Sequence, residues 1–277
     1  MEKYRFPYDI ENLKDGWPWD SERVGPKRYV LSSTYRDLAS TFYNFELRPD
    51  DVFLLGFPRS GTTRCQESMW LINNNLEYEK SKSIVIDERC PLLELEVQFP
   101  TPFSSENSEF QNPGTIHSSK KIISPLKSLP NAPSPRFIKS HLPLSLLPPN
   151  LLDTTKVVYI ARDPRDVAVS YYYIMKRLLP DDIDFEKFWG AFRDDKILLT
   201  PIFEHIKEAW GQRGHHNMRF LTYEDMSKDL ASTLRQMSEF FGKVGGWEDY
   251  FNSEQLKESA NRWMSENLAS TDLPFSI

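Results

Sequence analysis

Cysteine is scarce in this sequence. Among 277 residues there are two cysteines, Cys65 and Cys90, and neither belongs to a CxxC pair or to a cluster of Cys and His. The sequence therefore predicts no structural zinc site. Two thiols are enough for one disulfide, but we favour two reduced thiols, as expected for a cytoplasmic protein.

Long apolar runs and an excess of positive charge are also missing. No stretch reaches the ~18 apolar residues of a membrane-spanning helix. The first 20 residues are polar and contain Pro7 and Pro18, so they do not predict a signal peptide. Asp and Glu (40) outnumber Lys and Arg (34), and the formal net charge of −6 argues against a nucleic-acid-binding surface. An anionic ligand therefore requires a local group of cations.

Short apolar segments alternate with helical patterns along most of the chain. Hydrophobic residues make up 39% of the sequence, which is enough for one buried core, and we interpret residues 1–277 as a single domain. The alternation predicts an α/β fold with a central, mainly parallel sheet and helices on both faces. The predicted strands are 52–57, 136–140, 156–161 and 218–223, and the predicted helices are 63–76, 166–177 and 224–241, with one or two more over 185–212.

Residues 91–149 interrupt this alternation. They hold 11 of the 20 prolines together with many Ser and Asn, which predicts an irregular insertion. Because long loops on such folds often carry functional residues, we interpret the insertion as a cover over the functional site.

The segment 51–73 predicts a P-loop-like strand–loop–helix unit that binds a phosphate group. Its loop reads Phe57-Pro58-Arg59-Ser60-Gly61-Thr62-Thr63. Gly61 permits close approach of the backbone to a ligand, Arg59 supplies positive charge, and the start of the following helix offers free N–H groups. The loop lacks the Lys of a GxxxxGK[ST] motif, so an ATP-dependent kinase and a magnesium requirement are not expected. For the loop alone, an ordinary capped turn stays an alternative.

Further polar residues follow two other predicted strands. Lys139 and His141 are two residues apart and can face one cleft; His141 is either a general base or a simple strand cap. Arg162 follows the next strand, where a guanidinium can hold a phosphate, and Ser170 lies on the helix behind it. Arg165 is interpreted as the partner of a neighbouring aspartate. Ligands of parallel sheets bind beyond the carboxyl ends of the strands, so we expect one shared site.

Four segments together resemble the cytosolic sulfotransferase family. They read PRSGTT at 58–63, FIKSHLP at 137–143, ARDPRDVAVSYYY at 161–173 and LTYEDM at 221–226. The resemblance implies a metal-free reaction that uses 3′-phosphoadenylyl sulfate (PAPS) as co-substrate. It further implies sulfuryl transfer to a hydroxyl of a small acceptor, such as a phenol, a steroid or another alcohol.

The resemblance also implies a role for each site residue. His141 would take the acceptor proton, Arg59 would stabilise charge on the leaving oxygen, and Lys139 would steady the reacting groups. Arg162 and Ser170 match ligands of the 3′-phosphate. The remaining residues implied in nucleotide binding are Ser60, Gly61, Thr62, Thr63, Arg64, Tyr223 and Gly242.

Three positions in the nucleotide site depart from the family pattern. Arg59 replaces the usual Lys of the loop, which keeps the charge but makes a poorer proton donor. Arg64 stands where a Trp usually stacks on adenine, so we expect weaker nucleotide affinity. Phe240 stands in the place of an Arg that binds the 3′-phosphate, as if the segment before it were missing. These changes leave open an alternative, a protein of this fold that binds ligand without turnover.

The acceptor and the oligomeric state are less determined. The residues that would line the acceptor pocket fall in 78–115 and 185–192, and their aromatic side chains suit a flat apolar acceptor. Some family members use sulfation as a step toward dehydration, which the sequence does not exclude. The family dimer motif, KxxxTVxxxE, is not matched at 248–257, so a homodimer by that route is not expected.

Overall fold

The computed structural model describes residues 3–14, 20–98, 124–178, 183–243 and 253–268. Seven strands lie in these ranges: β1 Ile10–Leu13, β2 Ser21–Val24, β3 Tyr29–Ser32, β4 Val52–Leu55, β5 Phe137–Ser140, β6 Lys156–Ala161 and β7 Met218–Thr222. The last four form a parallel sheet in the order β5-β4-β6-β7. The predicted α/β fold with a parallel sheet is therefore confirmed.

The helices surround this sheet. In chain order they are α1 Tyr35–Tyr43, α2 Thr62–Asn73, α3 Tyr78–Ser83, α4 Ile86–Arg89, α5 Leu95–Gln98, α6 Pro125–Ser128, α7 Leu151–Thr154, α8 Pro164–Leu178, α9 Phe185–Arg193, α10 Ile202–Gly211, α11 Tyr223–Lys228, α12 Leu230–Phe240 and α13 Glu254–Leu268. Two short 3-10 helices span Leu129–Asn131 and Leu144–Leu146. None of the helices in the described ranges combines the length and the apolar character that crossing a bilayer requires.

Alternate side chains of the parallel strands enter two separate cores. On one face, Phe53 and Leu55 pack with residues of α1, α8, α9 and α10. On the other face, Leu54 and Val158 pack with residues of α2 and α12. Because successive side chains of a strand point to opposite faces, a strand covered on both sides must be apolar throughout. All four residues of β4 are buried, as this requires.

Some predicted helix boundaries are wrong for reasons of local backbone chemistry. The predicted helix 224–241 is two helices, because the Asp229 side chain accepts a hydrogen bond from the Ser232 amide and starts α12 anew. The predicted helix 63–76 ends at Asn73, because Asn75 and Leu76 adopt positive φ values of 51° and 58°. The segment 185–212 holds two helices, α9 and α10.

The N-terminal part of the chain forms structure that the sequence patterns did not predict. Strands β1, β2 and β3 make a separate antiparallel sheet, and α1 follows it. The short strands have four residues each, too few for the period of two to stand out.

The insertion predicted over 91–149 is partly regular in the residues that the structure describes. The amide of Leu93 donates to the Lys139 carbonyl oxygen at 2.8 Å, and the Lys139 amide donates to the Pro91 carbonyl oxygen at 2.9 Å. These bonds add residues 91–93 to the outer edge of β5, where Leu92 bridges Lys139 in parallel. Residues 99–123 lie outside the described ranges, so the predicted cover over the site stays a prediction.

Both cysteines are free thiols in the core. Cys65 lies on α2 and Cys90 follows α4, and both side chains are buried. Burial raises the pKa of each thiol to about 12, so the reactive thiolate is rare at neutral pH. Within the described ranges, no three or more His, Cys, Asp and Glu side chains are grouped as a metal site would require.

Candidate active site

The loop between β4 and α2 has a backbone suited to an anion. Gly61 adopts a φ of +92°, and a Cβ atom there would lie 2.4 Å from Cδ2 of Tyr223. Glycine is therefore required both by the backbone conformation and by the contact with this ring. Helix α2 begins at Thr62, so its first N–H groups have no intrahelical partner and point out of the helix end. Such an end attracts a phosphate or sulfate group.

Two arginines and a serine converge at this loop. Arg59 Nε donates a hydrogen bond to Ser170 Oγ at 3.0 Å, and Arg162 Nη1 donates to the Arg59 carbonyl oxygen at 3.3 Å. The Arg162 guanidinium lies 4.3 Å from the ring centroid of Tyr223. Partial burial lowers the pKa of Arg59, and the positive charge of Arg162 lowers it further. The site therefore holds two positive charges close together, and a bound anion would reduce the repulsion between them.

Some polar atoms at the loop lack a partner. Ser60 is buried, and its hydroxyl oxygen forms no hydrogen bond with the described residues. Arg162 Nε is likewise buried without a bonding partner there. Unpaired buried polar groups are costly and rare in folded proteins, so both atoms point to a ligand that completes them.

The neighbouring Arg165 pairs with an aspartate at the protein surface instead. Its guanidinium is exposed and donates hydrogen bonds to both carboxylate oxygens of Asp163. Nη2 lies 2.6 Å from Oδ2, and Nε lies 3.0 Å from Oδ1 and 3.2 Å from Oδ2. The bonds from Arg165 hold the pKa of Asp163 down at about 2. The predicted pairing of Arg165 with an aspartate is confirmed.

His141 lies directly after β5 with a defined ring orientation. Its Nδ1 is 2.5 Å from the Gly56 carbonyl oxygen, which only accepts hydrogen bonds. Nδ1 therefore carries the hydrogen, and in the neutral ring Nε2 keeps its lone pair. Burial lowers the pKa of His141 well below the usual range, and the charge of Lys139 adds to this effect. The ring is neutral at physiological pH, as a general base must be.

Lys139 shares the end of β5 with His141. It is half-buried, and burial lowers its pKa, an effect that the carboxylates of Asp87 and Glu94 oppose. Its charge acts on His141, and the charge of Arg59 acts on both residues. The structure thus brings Lys139, His141 and Arg59 into one electrostatic neighbourhood, as the strand-end positions predicted.

Glu94 belongs to this site although the sequence patterns missed it. Its carboxylate accepts hydrogen bonds from the Ser140 hydroxyl at 2.7 Å and from the His141 amide at 2.6 Å. Burial raises the pKa of Glu94 to about 7, although these two bonds favour the ionised form. Its signal in the sequence is a single charge within the apolar run Pro91-Leu92-Leu93-Glu94-Leu95. A buried carboxylate requires such partners.

Gly242 lies apart from the other predicted residues. The Gly242 amide donates to the Glu239 carbonyl oxygen and the Lys243 amide to that of Ser238, a pairing that terminates α12 with Gly242 at a φ of +66°. The Lys156 ammonium donates to the carbonyl oxygen of Phe240. Lys156 begins β6 whereas Arg162 follows its end, about 20 Å away at ~3.3 Å per residue. Contact of Gly242 with a nucleotide stays a prediction that this placement does not favour.

Thr63 and Arg64 lie on the first turn of α2 and are exposed. Thr62, one residue earlier, is buried against the sheet. The exposed pair is therefore free to contact a ligand at the helix end, and its contact with the nucleotide stays a prediction.

Comparison with known proteins identifies the family. The sulfotransferase domain matches residues 49–271, which include every residue described at this site. The chain belongs to the sulfotransferase family. It is 36% identical to sulfotransferase 1A1 of Mus musculus over 79% of this chain and 69% of the relative. It is 33% identical to sulfotransferase 1E1 of Bos taurus over 88% of this chain and 77% of the relative. The chain is homologous to PAPS-dependent sulfotransferases.

Other sulfotransferases and a solved structure give the same picture. The chain is 33% identical to luciferin sulfotransferase of Photinus pyralis and spans 58% of the length of that protein. A retinol dehydratase crystallised with retinol and PAP has a TM-score of 0.73 and 34% identity, with 99% of this chain and 100% of that chain covered. The chain therefore shares its fold with a retinol dehydratase that binds PAP.

Proposed function

We propose that this sulfotransferase moves the sulfuryl group of PAPS to a hydroxyl of a small acceptor, with His141 as general base. The observation that carries the proposal is the hydrogen bond from His141 Nδ1 to the Gly56 carbonyl oxygen, which leaves the Nε2 lone pair available at the site. The cations Arg59 and Arg162 lie at the neighbouring helix end. A base beside an anion site is what transfer to a hydroxyl requires.

The residues present fit a nucleotide that carries a 5′-phosphosulfate and a 3′-phosphate. Gly61 allows the loop backbone a positive φ directly before α2, and Ser60 Oγ and Arg162 Nε lack protein partners among the described residues. Arg59, Ser60, Thr62 and Thr63 would hold the 5′ side at the start of α2. Arg162 and Ser170 would hold the 3′-phosphate. When bound, PAPS supplies the sulfuryl group.

Each side chain then has one task. His141 Nε2 accepts the proton of the acceptor hydroxyl, while Nδ1–H keeps the ring in place through the Gly56 carbonyl oxygen. Arg59 stabilises the charge that develops on the leaving oxygen because its guanidinium is fixed by Ser170. Lys139 contributes charge near His141.

The acceptor is proposed to be a small, largely apolar alcohol or phenol. Solved relatives carry such ligands: retinol in one retinol dehydratase complex, and androsterone in another that is 33% identical with a TM-score of 0.73. In this chain the α9 side chain Phe192 packs edge-on against Phe57, two residues before Arg59. Phe185 and Trp189 of α9 are exposed, which supplies apolar surface on the same helix.

Transfer of radiolabelled sulfate from PAPS to a panel of phenols, steroids and aliphatic alcohols tests the proposal. We expect transfer to at least one class, and a loss of about 10²–10⁴-fold in the His141→Ala variant. Binding of adenosine 3′,5′-bisphosphate by calorimetry should stay unchanged in that variant. The control is His216→Ala, an exposed histidine before β7. An undiminished rate in His141→Ala would remove the base role.

A second function, binding without turnover, is favoured by one observation. Phe240, which stands in the place of an Arg that binds the 3′-phosphate in the family, lies near the start of β6 rather than beside Arg162. Calorimetry and the transfer assay separate the two functions: both bind adenosine 3′,5′-bisphosphate, but only the first transfers sulfate. Residues 248–252, part of the segment compared with the dimer motif, lie outside the described ranges, so the expectation against a homodimer by that route stays a prediction.

A further inference from the structure

The backbone of His141 is held on both sides. Its amide is bound by Glu94, and its carbonyl oxygen is bound by a second histidine, His205 of α10. His205 Nε2 lies 2.9 Å from this oxygen, and His205 is buried. A carbonyl oxygen only accepts hydrogen bonds, so His205 Nε2 carries the hydrogen.

Tyr159 fixes the state of His205. The Tyr159 hydroxyl is 2.8 Å from His205 Nδ1. Burial lowers the pKa of His205, so its ring is neutral, and with the hydrogen on Nε2 its Nδ1 must accept from Tyr159. The three groups form an ordered chain of hydrogen bonds, from the Tyr159 hydroxyl through His205 to the His141 carbonyl oxygen.

The same helix also holds the segment after His141. One turn beyond His205, the Glu208 carboxylate accepts hydrogen bonds from the Ser145 amide at 2.9 Å and from the Ser145 hydroxyl at 2.8 Å. The Tyr29 hydroxyl donates to the same carboxylate at 2.9 Å. Helix α10 therefore binds the chain at His141 and again four residues later.

We propose that His205 is a positioning residue for His141, acting through the His141 carbonyl oxygen. The inference rests on the proposed base role of His141. The direction of a carbonyl group sets the backbone torsions on either side of it, and those torsions aim the His141 ring at the Gly56 carbonyl oxygen. Loss of the bond from His205 frees the ring to rotate or to change tautomer, which moves the Nε2 lone pair.

Two replacements of His205 separate positioning from packing. His205→Leu fills a similar space with an apolar side chain that has no hydrogen-bond donor. His205→Gln keeps an N–H donor at a comparable distance from the backbone. Tyr159→Phe removes the donor to His205 Nδ1 and keeps the aromatic ring. The tautomer of His141 is then measured from the ¹⁵N shifts of histidine side chains, with His141→Ala used to assign its signals among the five histidines.

We expect one neutral His141 tautomer, with hydrogen on Nδ1, in the wild type and in His205→Gln, and a mixture of tautomers in His205→Leu. In the sulfate-transfer assay, kcat should fall about 100-fold in His205→Leu, with KM for PAPS unchanged. His205→Gln should retain most of the rate, and Tyr159→Phe should fall between them. Thermal unfolding checks that each variant folds.

An unchanged His141 tautomer in a folded His205→Leu protein overturns the inference, and so does an equal loss of kcat in the Leu and Gln variants. If His205→Leu does not fold, an unaltered His141 spectrum in Tyr159→Phe has the same consequence. The spectra need no turnover. Absence of sulfate transfer in the wild type would therefore count against the proposed function, while the tautomer measurement still decides the role of His205.

Discussion

Arg59 Nε donates a hydrogen bond of 3.0 Å to Ser170 Oγ, across 111 residues of sequence. The bond joins the loop that follows β4 to helix α8, which follows β6. Because a hydroxyl both accepts and donates, Ser170 keeps its own hydrogen free for an anion while it holds Arg59. The two side chains therefore act as one unit toward a bound phosphate group.

Ser170→Ala should weaken binding of adenosine 3′,5′-bisphosphate by about tenfold or more, because a hydrogen bond to a charged group is worth ~1.5–3 kcal/mol. Calorimetric titration measures the change. The matched control is Ser68→Ala on α2, whose hydroxyl donates to the Arg64 carbonyl oxygen instead. Equal affinities in wild type and Ser170→Ala would show that Ser170 does not contact the ligand.

Gly61→Ala should abolish measurable nucleotide binding and lower the free energy of unfolding by about 1–3 kcal/mol. The new Cβ would collide with the Tyr223 ring at 2.4 Å, and the backbone φ is positive. Denaturant unfolding and calorimetry measure the two effects. Gly242→Ala shares the positive φ without a nearby atom, and Gly214→Ala has neither, so the three variants separate strain from collision. Unchanged binding in Gly61→Ala would contradict the proposed phosphate-binding role of this loop.

Glu94 should make stability depend on pH in an unusual direction. Its pKa rises from 4.5 to about 7 on folding, so the folded state holds the extra proton between these values. The contribution of this proton is fully present below about pH 4.5 and is lost as the pH rises through 7. We expect the free energy of unfolding, relative to Glu94→Gln, to fall by up to about 3 kcal/mol between pH 5 and pH 7.5. Denaturant unfolding of both proteins measures this difference; a constant value would show that Glu94 titrates normally.

Arg64→Trp should strengthen binding of adenosine 3′,5′-bisphosphate by about tenfold, because stacking of a base on an aromatic ring is worth ~1–3 kcal/mol. The exposed position of Arg64 on the first turn of α2 leaves room for an indole. Arg64→Leu serves as control, since it adds apolar area without a stacking face. If Trp and Leu change the affinity equally, stacking on adenine is not the cause.

The parallel strands and the motifs after them were predictable because each property is local. The run 52–57 is apolar and ends at a glycine-containing loop, and β4 occupies its first four residues. Arg59, Lys139, His141 and Arg162 were expected together because parallel strands present their carboxyl ends at one edge. The structure places them there.

The same reasoning could not predict Glu94, His205 and Glu208. Their roles depend on hydrogen bonds to residues 46, 64 and 63 positions away in the sequence, respectively. A single histidine on the apolar face of a helix is usually a core residue, and nothing in the sequence distinguishes His205 from that case. The division between α11 and α12 was missed because Asp229 was read as part of a continuous helix, although Asp is a strong N-cap residue.

The pairing of Pro91 and Leu93 with Lys139 sets the length of chain that this region tolerates. Two backbone bonds fix 91–93 against β5, and the next residue, Glu94, reaches the His141 amide. One inserted residue between Leu93 and Glu94 would displace the carboxylate by about 3.3 Å, more than a hydrogen bond allows. Insertions and deletions between Leu93 and Glu94 are therefore expected to be excluded, because either would release the His141 amide from its carboxylate partner.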